Sequence, residues 1–571
     1  MDKLQALKQI FGHSAFRPGQ EALIDALLTG QDALGIMPTG AGKSMCFQIP
    51  SLVRDGVALV VSPLISLMKD QVMALIQAGV AAAYINSSLS PAQCSLALQR
   101  ARQGAYRIIY VAPERLLTPS FLSFAQQAKL SMIAVDEAHC VSQWGQDFRP
   151  SYLSIPEFLG RLPQRPPVGA YTATATRQVK EDIIRLLGLE APLVRVTGFD
   201  RPGLKYAVRQ PKDKDGELLA ILQERRGRSG IIYCATRRNV DSVCDLLRQQ
   251  GYAAARYHAG MADTDRHQAQ DDFQYDRAQV MVATNAFGMG IDKSNVHYVI
   301  HYNMPRNLES YYQEAGRAGR DGAAAECILL YQKRDVVLQK WMIEHSEQNS
   351  ELTPAQRDQL QELELERLKQ MTFYAAGRRC LRQSILRYFG EESKDHCGNC
   401  SVCLGEPRER RLTAQAQPRP AAPPSVMEQR FAALRALRNT IAKEKGIPAY
   451  AVFTDATLRE MALMQPRTPE QLLGVSGVGD KKLESFGELF LTYLQRLVAE
   501  PEAWEQAATQ QLMKRALDHY RDMQPWKQEE VRRLKAQVAQ GQPLSAIALQ
   551  HKRSEQAVEE KMLALKLKPR L

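Results

Sequence analysis

Ser131-Met132-Ile133-Ala134-Val135-Asp136-Glu137-Ala138-His139-Cys140-Val141-Ser142-Gln143-Trp144-Gly145-Gln146-Asp147-Phe148-Arg149-Pro150 runs from an apolar segment through two carboxylates into a cluster of aromatic and basic residues. The first five residues are short and mostly apolar, which reads as a buried strand. Two adjacent carboxylates at the end of such a strand suit a metal-nucleotide site: Asp136 would hold Mg²⁺ through water, and Glu137 would polarise an attacking water. Beyond them, Trp144, Phe148 and Arg149 are side chains that stack on or grip exposed bases. The run thus reads as a hydrolysis site one short loop from a DNA contact. Taken alone, it reads equally as an acidic surface patch beside a packed aromatic turn.

Upstream, Met37-Pro38-Thr39-Gly40-Ala41-Gly42-Lys43-Ser44 follows the apolar segment Ala33-Leu34-Gly35-Ile36. This is a P-loop pattern in which Met37 stands where the first glycine is usual. Backbone N–H groups of Thr39, Gly40, Ala41, Gly42 and Lys43 can cradle phosphates at a helix N-terminus. Lys43 would reach the β- and γ-phosphates, and the Ser44 hydroxyl would ligate Mg²⁺. Downstream stands Gln313-Glu314-Ala315-Gly316-Arg317-Ala318-Gly319-Arg320-Asp321-Gly322. Arg317 and Arg320, three apart, are expected on one helix face. There they could stabilise charge on a transferring phosphoryl group, or simply form a surface pair.

The 571 residues are enough for several domains, and 45% hydrophobic with 24% charged residues is a globular composition. A net charge of +12 favours polyanionic partners but does not identify them. No apolar run is long enough to span a bilayer, and Met1-Asp2-Lys3-Leu4-Gln5 has no signal-peptide core, so a cytoplasmic protein with no membrane partner is expected. Apolar strands alternate with amphipathic helical stretches to about residue 200, and the pattern restarts near 205, which predicts two parallel-sheet α/β lobes with a cleft between them. Phe199-Asp200-Arg201-Pro202-Gly203 is the expected hinge.

From about 335 to 390 the pattern is helical and charged. Cys380, Cys397, Cys400 and Cys403 follow with overlapping C-x-x-C spacings. They fit a tetrahedral zinc site of four thiolates, although an iron–sulfur cluster or unpaired thiols fit the spacing too. A Pro/Ala/Arg-rich stretch at 404–426 reads as a linker, and two helical blocks end the chain.

Phe16-Arg17-Pro18-Gly19-Gln20, the Lys43 loop, Asp-Glu-Ala-His with its Trp144 loop, Ser62-Pro63-Leu64 through Gln71, Ala112 to Leu116, Thr172-Ala173-Thr174-Ala175-Thr176, Ala283 to Asp292 and Gln313 to Gly322 together resemble the superfamily 2 helicases of the RecQ type. The resemblance covers about residues 1–403. It implies two RecA-like parallel-sheet lobes followed by a small helical zinc subdomain and C-terminal all-α domains. The implied divisions are an ATP-binding lobe at 1–203, a helicase C-terminal lobe at 204–335 and the zinc-binding subdomain at 336–403; beyond them the residue pattern gives the linker at 404–426, an HRDC-like domain at 427–500 and a helix-turn-helix-like tail at 510–571.

The resemblance also implies site roles. Arg17 and Gln20 become the adenine-reading pair, with His13 where such proteins usually place a stacking tyrosine. Thr172 to Thr176 would relay the nucleotide state to the DNA grip. Ser142, Gln143, Trp144, Phe148 and Arg149 would form the aromatic-rich loop that couples single-strand binding to hydrolysis. The cysteine cluster becomes a structural Zn²⁺ site, with ATP and Mg²⁺ at the nucleotide site. Single-stranded and duplex DNA are the implied partners, with single-strand-binding or repair proteins beside them, and the implied activity is 3′-to-5′ DNA unwinding in recombination and repair. An RNA helicase on the same motor, and a DNA-bridging or annealing scaffold with little unwinding, are the rivals.

The chain departs from the RecQ pattern after Cys403, where a winged-helix domain would be expected and only the linker intervenes. Met427 to Ala499 resembles an HRDC domain, with Leu472-Leu473-Gly474-Val475-Ser476-Gly477-Val478-Gly479 as a phosphate-meeting turn. In the tail, Lys552, Arg553, Lys566, Lys568 and Arg570 are candidates to face phosphates, with a packing or dimerisation bundle as the alternative.

Overall fold

Two parallel sheets carry the first 330 residues of the fold. Every residue of β1 (Ala33–Ile36), β2 (Val57–Val61) and β4 (Ile108–Val111) is buried, as expected of strands covered by helices on both faces. With β3 (Ala82–Ile85), β5 (Leu130–Val135), β6 (Val168–Thr172) and β7 (Leu193–Val196) they form one sheet in the order β3-β4-β2-β5-β6-β1-β7. The second sheet contains β8 (Leu204–Arg209), β9 (Gly230–Tyr233), β10 (Ala254–Tyr257), β11 (Val280–Ala283), β12 (Tyr298–His301) and β13 (Ala325–Leu330), in the order β10-β11-β9-β12-β13-β8. This computed structural model describes all residues except 64, 146, 288–292, 294, 346–353, 410–424, 500–525, 527, 541, 552, 566 and 568–571, and the side chains of 66, 354, 356, 498 and 499.

Register decides where the site lies. Ile36 pairs with Thr172, and Val61 with Val135. The loops after β1, β5 and β6 therefore leave from the same carboxyl edge of the sheet, where open α/β sheets bind ligands. The Met37 N–H donates to Thr172 O at 3.0 Å and the Asp136 N–H to Val61 O at 2.9 Å, which extends the ladder one residue into each loop.

Helices Lys333–Glu344, Pro354–Ala376 and Leu381–Tyr388 follow the second sheet. Lys214, buried beside β12, donates to both carboxylate oxygens of Asp335 at 2.9 and 2.8 Å and to Tyr302 O at 2.6 Å. Asp335 also accepts from Asn303 at 3.1 Å and from the Gln332 N–H at 2.9 Å. Removing one partner of such a buried pair costs about 3–5 kcal/mol, because the remaining charge has no water to return to.

The expected linker is not free along its whole length. Ser401 N–H donates to Tyr206 O and Gln210 N–H to Arg408 O, so residues 401–408 run beside β8, the edge strand of the second sheet. Glu406 adds contacts to Lys205 and Arg209 at 2.5 and 3.0 Å. An unpaired sheet edge captures the chain leaving the cysteine cluster, and this overrides the Pro-rich composition. Residues 410–424 of the linker stretch lie outside the described residues.

The chain divides into two compact units, residues 1–419 with 442–456 and residues 420–441 with 457–571. Helix Val426–Lys445 opens the HRDC-like block, which ends in Glu488–Ala499. Its Gly-rich turn holds Gly477 at φ +86°, where a Cβ would fall 2.5 Å from Thr457 Oγ1. Three tail helices, Gln528–Ala539, Leu544–His551 and Glu555–Ala564, bury Leu534, Val538, Ile547, Val558 and Met562 together. Arg553 does not face outward as expected. Its guanidinium lies over the Trp526 ring at 4.5 Å and 3.6 Å from Glu530, so it packs the bundle. Lys552, Lys566, Lys568 and Arg570 lie outside the described residues.

Candidate active site

Gly40 and Gly42 adopt φ +85° and +81°, which lets the loop after β1 curl back on itself at little steric cost. Met37 is fully buried, and its sulfur lies 3.7 Å from Cys46 Sγ. The residue that departs from the usual P-loop glycine is thus a core side chain. Ser44 stands at the N-cap of helix Met45–Val53, but its hydroxyl makes no capping bond. Lys43 Nζ donates to Met37 O at 3.3 Å.

The two carboxylates lie within electrostatic reach of Lys43. Burial pushes the Asp136 carboxyl well up, Glu137 pushes it further, and Lys43 opposes both. Burial weakens the Lys43 ammonium, while Glu137 and Asp136 sustain it and Arg320 of the other lobe opposes it. A half-buried carboxylate held up in this way is a place where a cation lowers the energy, and Ser44 and Asp136 are the oxygens that fit a hard Mg²⁺ ion. Glu137 has φ +47°, a left-handed conformation that a non-glycine residue holds only under constraint from its surroundings.

His139, buried beside them, is a residue for which the sequence reading had no role. The Thr172 hydroxyl donates to Thr174 O at 3.0 Å, so its oxygen is left to accept. His139 Nδ1, 2.8 Å from that oxygen, must therefore carry the proton. Burial keeps this imidazole neutral, and Glu137 Oε2 lies 3.3 Å from the same nitrogen. That proton goes to Thr172, so Glu137 Oε2 lies beside the ring without a hydrogen bond from it.

The expected Thr172-to-Thr176 segment leads onward. Thr176 caps helix Arg177–Leu186, whose buried Asp182 accepts from Ser142 Oγ at 2.7 Å. Ser142 Oγ in turn accepts from the Trp144 N–H at 3.1 Å. Within the aromatic loop, Ser142 is buried, Gln143 is exposed and Trp144 is 37% exposed. Phe148 is half-buried, and Gln146 lies outside the described residues. Arg149 does not grip outward as expected: its guanidinium is bonded to Asp147 at 3.0 Å and to Pro63 O at 2.9 Å, which fixes the base of the loop. On the far side, Arg367 of helix Pro354–Ala376 donates to Trp144 O and lies 3.6 Å from Glu309. No local pattern in the sequence marks Arg367.

Arg17 and Gln20 sit against the P-loop. Gln20 Nε2 donates to Ala41 O and Gly42 O at 3.1 and 2.9 Å, and its oxygen accepts the Arg17 N–H at 2.8 Å. Arg17 donates to Gly40 O. In this arrangement both side chains spend their polar groups on the loop backbone, and reading a base requires Gln20 to exchange partners.

Arg317 and Arg320 are not on a helix face. The helix Leu308–Ala315 ends at Gly316, and Gly319 at φ +65° turns the chain. The helix ends before either arginine and Gly319 turns the chain between them, so i,i+3 spacing does not apply. The turn nonetheless reaches the P-loop: a Cβ on Gly40 would lie 3.7 Å from Arg320 Cγ, and one on Gly316 3.2 Å from Thr39 Cβ. Arg317 is buried, and its Nε makes no hydrogen bond. Of the motif Ala283 to Asp292, residues 288–292 lie outside the described residues.

The four candidate zinc ligands converge. The Sγ atoms of Cys380, Cys397, Cys400 and Cys403 all lie within 4.8 Å of one another, with Cys397–Cys403 at 3.9 Å and Cys400–Cys380 at 4.0 Å. A tetrahedron of thiolates about 2.3 Å from one ion has edges of about 3.8 Å. The cluster therefore fits a single tetrahedral ion, whereas an iron–sulfur cluster holds its thiolates on separate irons, further apart. Asn399 and Cys403 N–H groups donate to Cys397 and Cys400 sulfurs at 3.3 and 3.4 Å, which stabilises the thiolate form.

Comparison with known proteins agrees with this geometry. Residues 17–182 match the DEAD/DEAH box helicase family and 213–322 the helicase conserved C-terminal domain. Residues 333–404 match the RecQ zinc-binding family and 427–494 the HRDC domain, so 405–426 alone separate the last two. The ATP-dependent DNA helicase RecQ of Bacillus subtilis is 36% identical over 86% of this chain and 98% of its own length. A protein of Acanthamoeba polyphaga mimivirus described as an ATP-dependent RNA helicase is 38% identical over 70% of this chain and 71% of its own. The DUF1998 helicase MrfA, solved bound to DNA, superposes with TM-score 0.51 at 18% identity, over 61% of this chain and 53% of that one, which bears on the fold alone. With 36% identity to a bacterial RecQ across nearly all of that protein and matches to both helicase domains, the RecQ zinc module and the HRDC domain, this chain belongs to the RecQ family of ATP-dependent DNA helicases.

Proposed function

We propose that the chain binds Mg²⁺ and ATP between its lobes and steps 3′-to-5′ along single-stranded DNA, unwinding duplex during recombination and repair. The observation that carries this is the meeting at one sheet edge of the Lys43 loop, the Asp136–Glu137 pair and the turn bearing Arg317 and Arg320. Lys43 and the N–H groups of the loop would hold the phosphates, with Ser44 and Asp136 toward the metal. Bound there, Mg²⁺ supplies neutralisation of phosphate charge. Glu137 would orient water, and Arg317 and Arg320 would stabilise charge on the transferred phosphoryl.

The route from His139, which adjoins Glu137, to Thr172, then helix Arg177–Leu186, Asp182, Ser142 and Trp144 supports coupling of hydrolysis to DNA grip. The divisions at 203/204, 335/336, 403/404 and 426/427 are the proposed working units, with the HRDC-like block and tail as accessory binding modules. The proposed setting is the cytoplasm, with single-strand-binding or repair proteins as partners.

Strand displacement on duplexes with a 3′ or a 5′ tail tests the proposal. ATP- and Mg²⁺-dependent displacement from the 3′-tailed duplex is expected. ATP turnover without displacement would favour a DNA-bridging scaffold. Stimulation by single-stranded RNA equal to that by DNA would favour an RNA helicase.

Trp144 is the exposed ring of the coupling loop. Base–aromatic stacking is worth about 1–3 kcal/mol per base, so Trp144→Ala should weaken single-strand binding by about tenfold and lower the ratio of DNA-stimulated to DNA-free turnover. Equilibrium binding of a fluorescent oligonucleotide and parallel turnover assays check this. An unchanged ratio would remove Trp144 from the coupling.

A further inference from the structure

Arg201 lies in the connection between β7 and β8, where the sequence suggests only a hinge. Its guanidinium instead joins the two lobes. Nη1 donates to Thr39 O at 2.7 Å and to Gly316 O at 3.2 Å. Nη2 donates to Ala318 O at 3.0 Å and to Gly319 O at 3.3 Å. Thr39 belongs to the P-loop of the first lobe. Gly316, Ala318 and Gly319 form the turn of the second lobe that carries Arg317 and Arg320. A planar fork of five donors can satisfy four carbonyls at once, and an ammonium cannot.

The segment that presents Arg201 is itself fixed. Arg382 donates to the Asp200 carboxylate, to Arg201 O at 2.6 Å and to Leu204 O at 2.6 Å. Phe199 stacks on Phe389 with centroids 4.4 Å apart, its N–H donates to Glu391 at 2.6 Å, and its carbonyl accepts from Tyr312 at 2.9 Å. A free hinge would not carry these bonds. Arg382 opens helix Leu381–Tyr388, whose N-cap is Cys380.

We propose that Arg201 is a positioning residue for ATP hydrolysis, a latch that seats the arginine turn of the second lobe on the P-loop, with Arg382 holding the segment that carries it. Arg201 acts on backbone carbonyls and touches no reacting atom. Its contribution is to place Arg317 and Arg320, and so it rests on the proposed nucleotide site.

The test is a double-mutant cycle in the full chain. Turnover is measured at saturating single-stranded DNA, equilibrium affinity with a fluorescent ATP analogue, and folding by thermal unfolding. Arg201→Gln should lower kcat by about tenfold or more, a fraction of the effect of an arginine finger itself. Nucleotide affinity should change less than about threefold, because the phosphate cradle remains. Arg201→Lys should not restore kcat, since one ammonium cannot span both loops. Arg382→Gln should lower kcat in the same direction by a smaller factor, which serves if Arg201→Gln unfolds.

In a background of Arg317→Ala with Arg320→Ala, Arg201→Gln should add little further loss, because the residues it positions are gone. Full additivity, rescue by lysine, or unchanged kcat in Arg201→Gln each overturn the latch. If Arg320→Ala by itself leaves turnover intact, the nucleotide-site reading fails, and the two failures are told apart.

Discussion

Lys43→Ala should lower ATP turnover by about a thousandfold or more, the scale reached when a preorganised charge on a transferring phosphoryl is removed. Lys43 Nζ is held by Met37 O and sits beside Asp136, Glu137 and Arg320 in surroundings that weaken an ammonium through burial. A bound triphosphate would supply the opposite charge that this cation lacks. The loss should show in kcat at saturating ATP and Mg²⁺. Single-strand binding without nucleotide should stay within about threefold, since no phosphate contact of the DNA depends on Lys43 in this reading. Turnover above about a tenth of the unaltered chain would place the phosphates elsewhere.

Local features of this molecule were legible before its structure. The P-loop, the Asp136 carboxylate pair and the cysteine spacing each point to their chemistry within about twenty residues, and the apolar runs Ala33–Ile36 and Ser131–Val135 mark β1 and β5. β3 and β7 are short and partly exposed, and β8 and β13 lie in stretches where no such run was singled out. The misreading of Arg317 and Arg320 was a boundary error. The i,i+3 spacing predicts a shared helix face, but the helix ends at Ala315, before Arg317, and Gly319 turns the chain before Arg320.

What remained hidden is long-range. His139 meets Thr172 across 33 residues, Arg201 meets Thr39 across 162, and Arg367 meets Trp144 across 223. Each of these arginines bonds backbone carbonyls, which every residue possesses, so nothing in the partner's side chain signals the pairing. The aromatic loop shows the same limit from the other direction. Its composition suggested that Trp144, Phe148 and Arg149 all point at bases, yet the carbonyl of Pro63 and the carboxylate of Asp147 claim Arg149. Composition told which groups were present, and only the fold told which were already spent.

Cys400→Ser should release one equivalent of zinc and lower the unfolding temperature by about 10 °C, the scale of several kcal/mol lost from a domain of this size. Cys400 is fully buried and pairs through its backbone with Tyr206 of β8. Its neighbour Ser401 donates to Tyr206 O, and the Ser401 hydroxyl accepts the Val208 N–H at 3.2 Å. The cysteine cluster therefore ties the helical subdomain to the edge of the second sheet, and loosening it exposes that edge as well as the helices. Serine keeps the volume but is a poor zinc ligand, so the effect isolates coordination from packing. Chelator treatment of the unaltered chain should reproduce the temperature shift, and a chromogenic zinc indicator should count the ion released. Iron in place of zinc by elemental analysis, or an unfolding temperature unmoved by Cys400→Ser, would show that the four sulfurs converge for another reason.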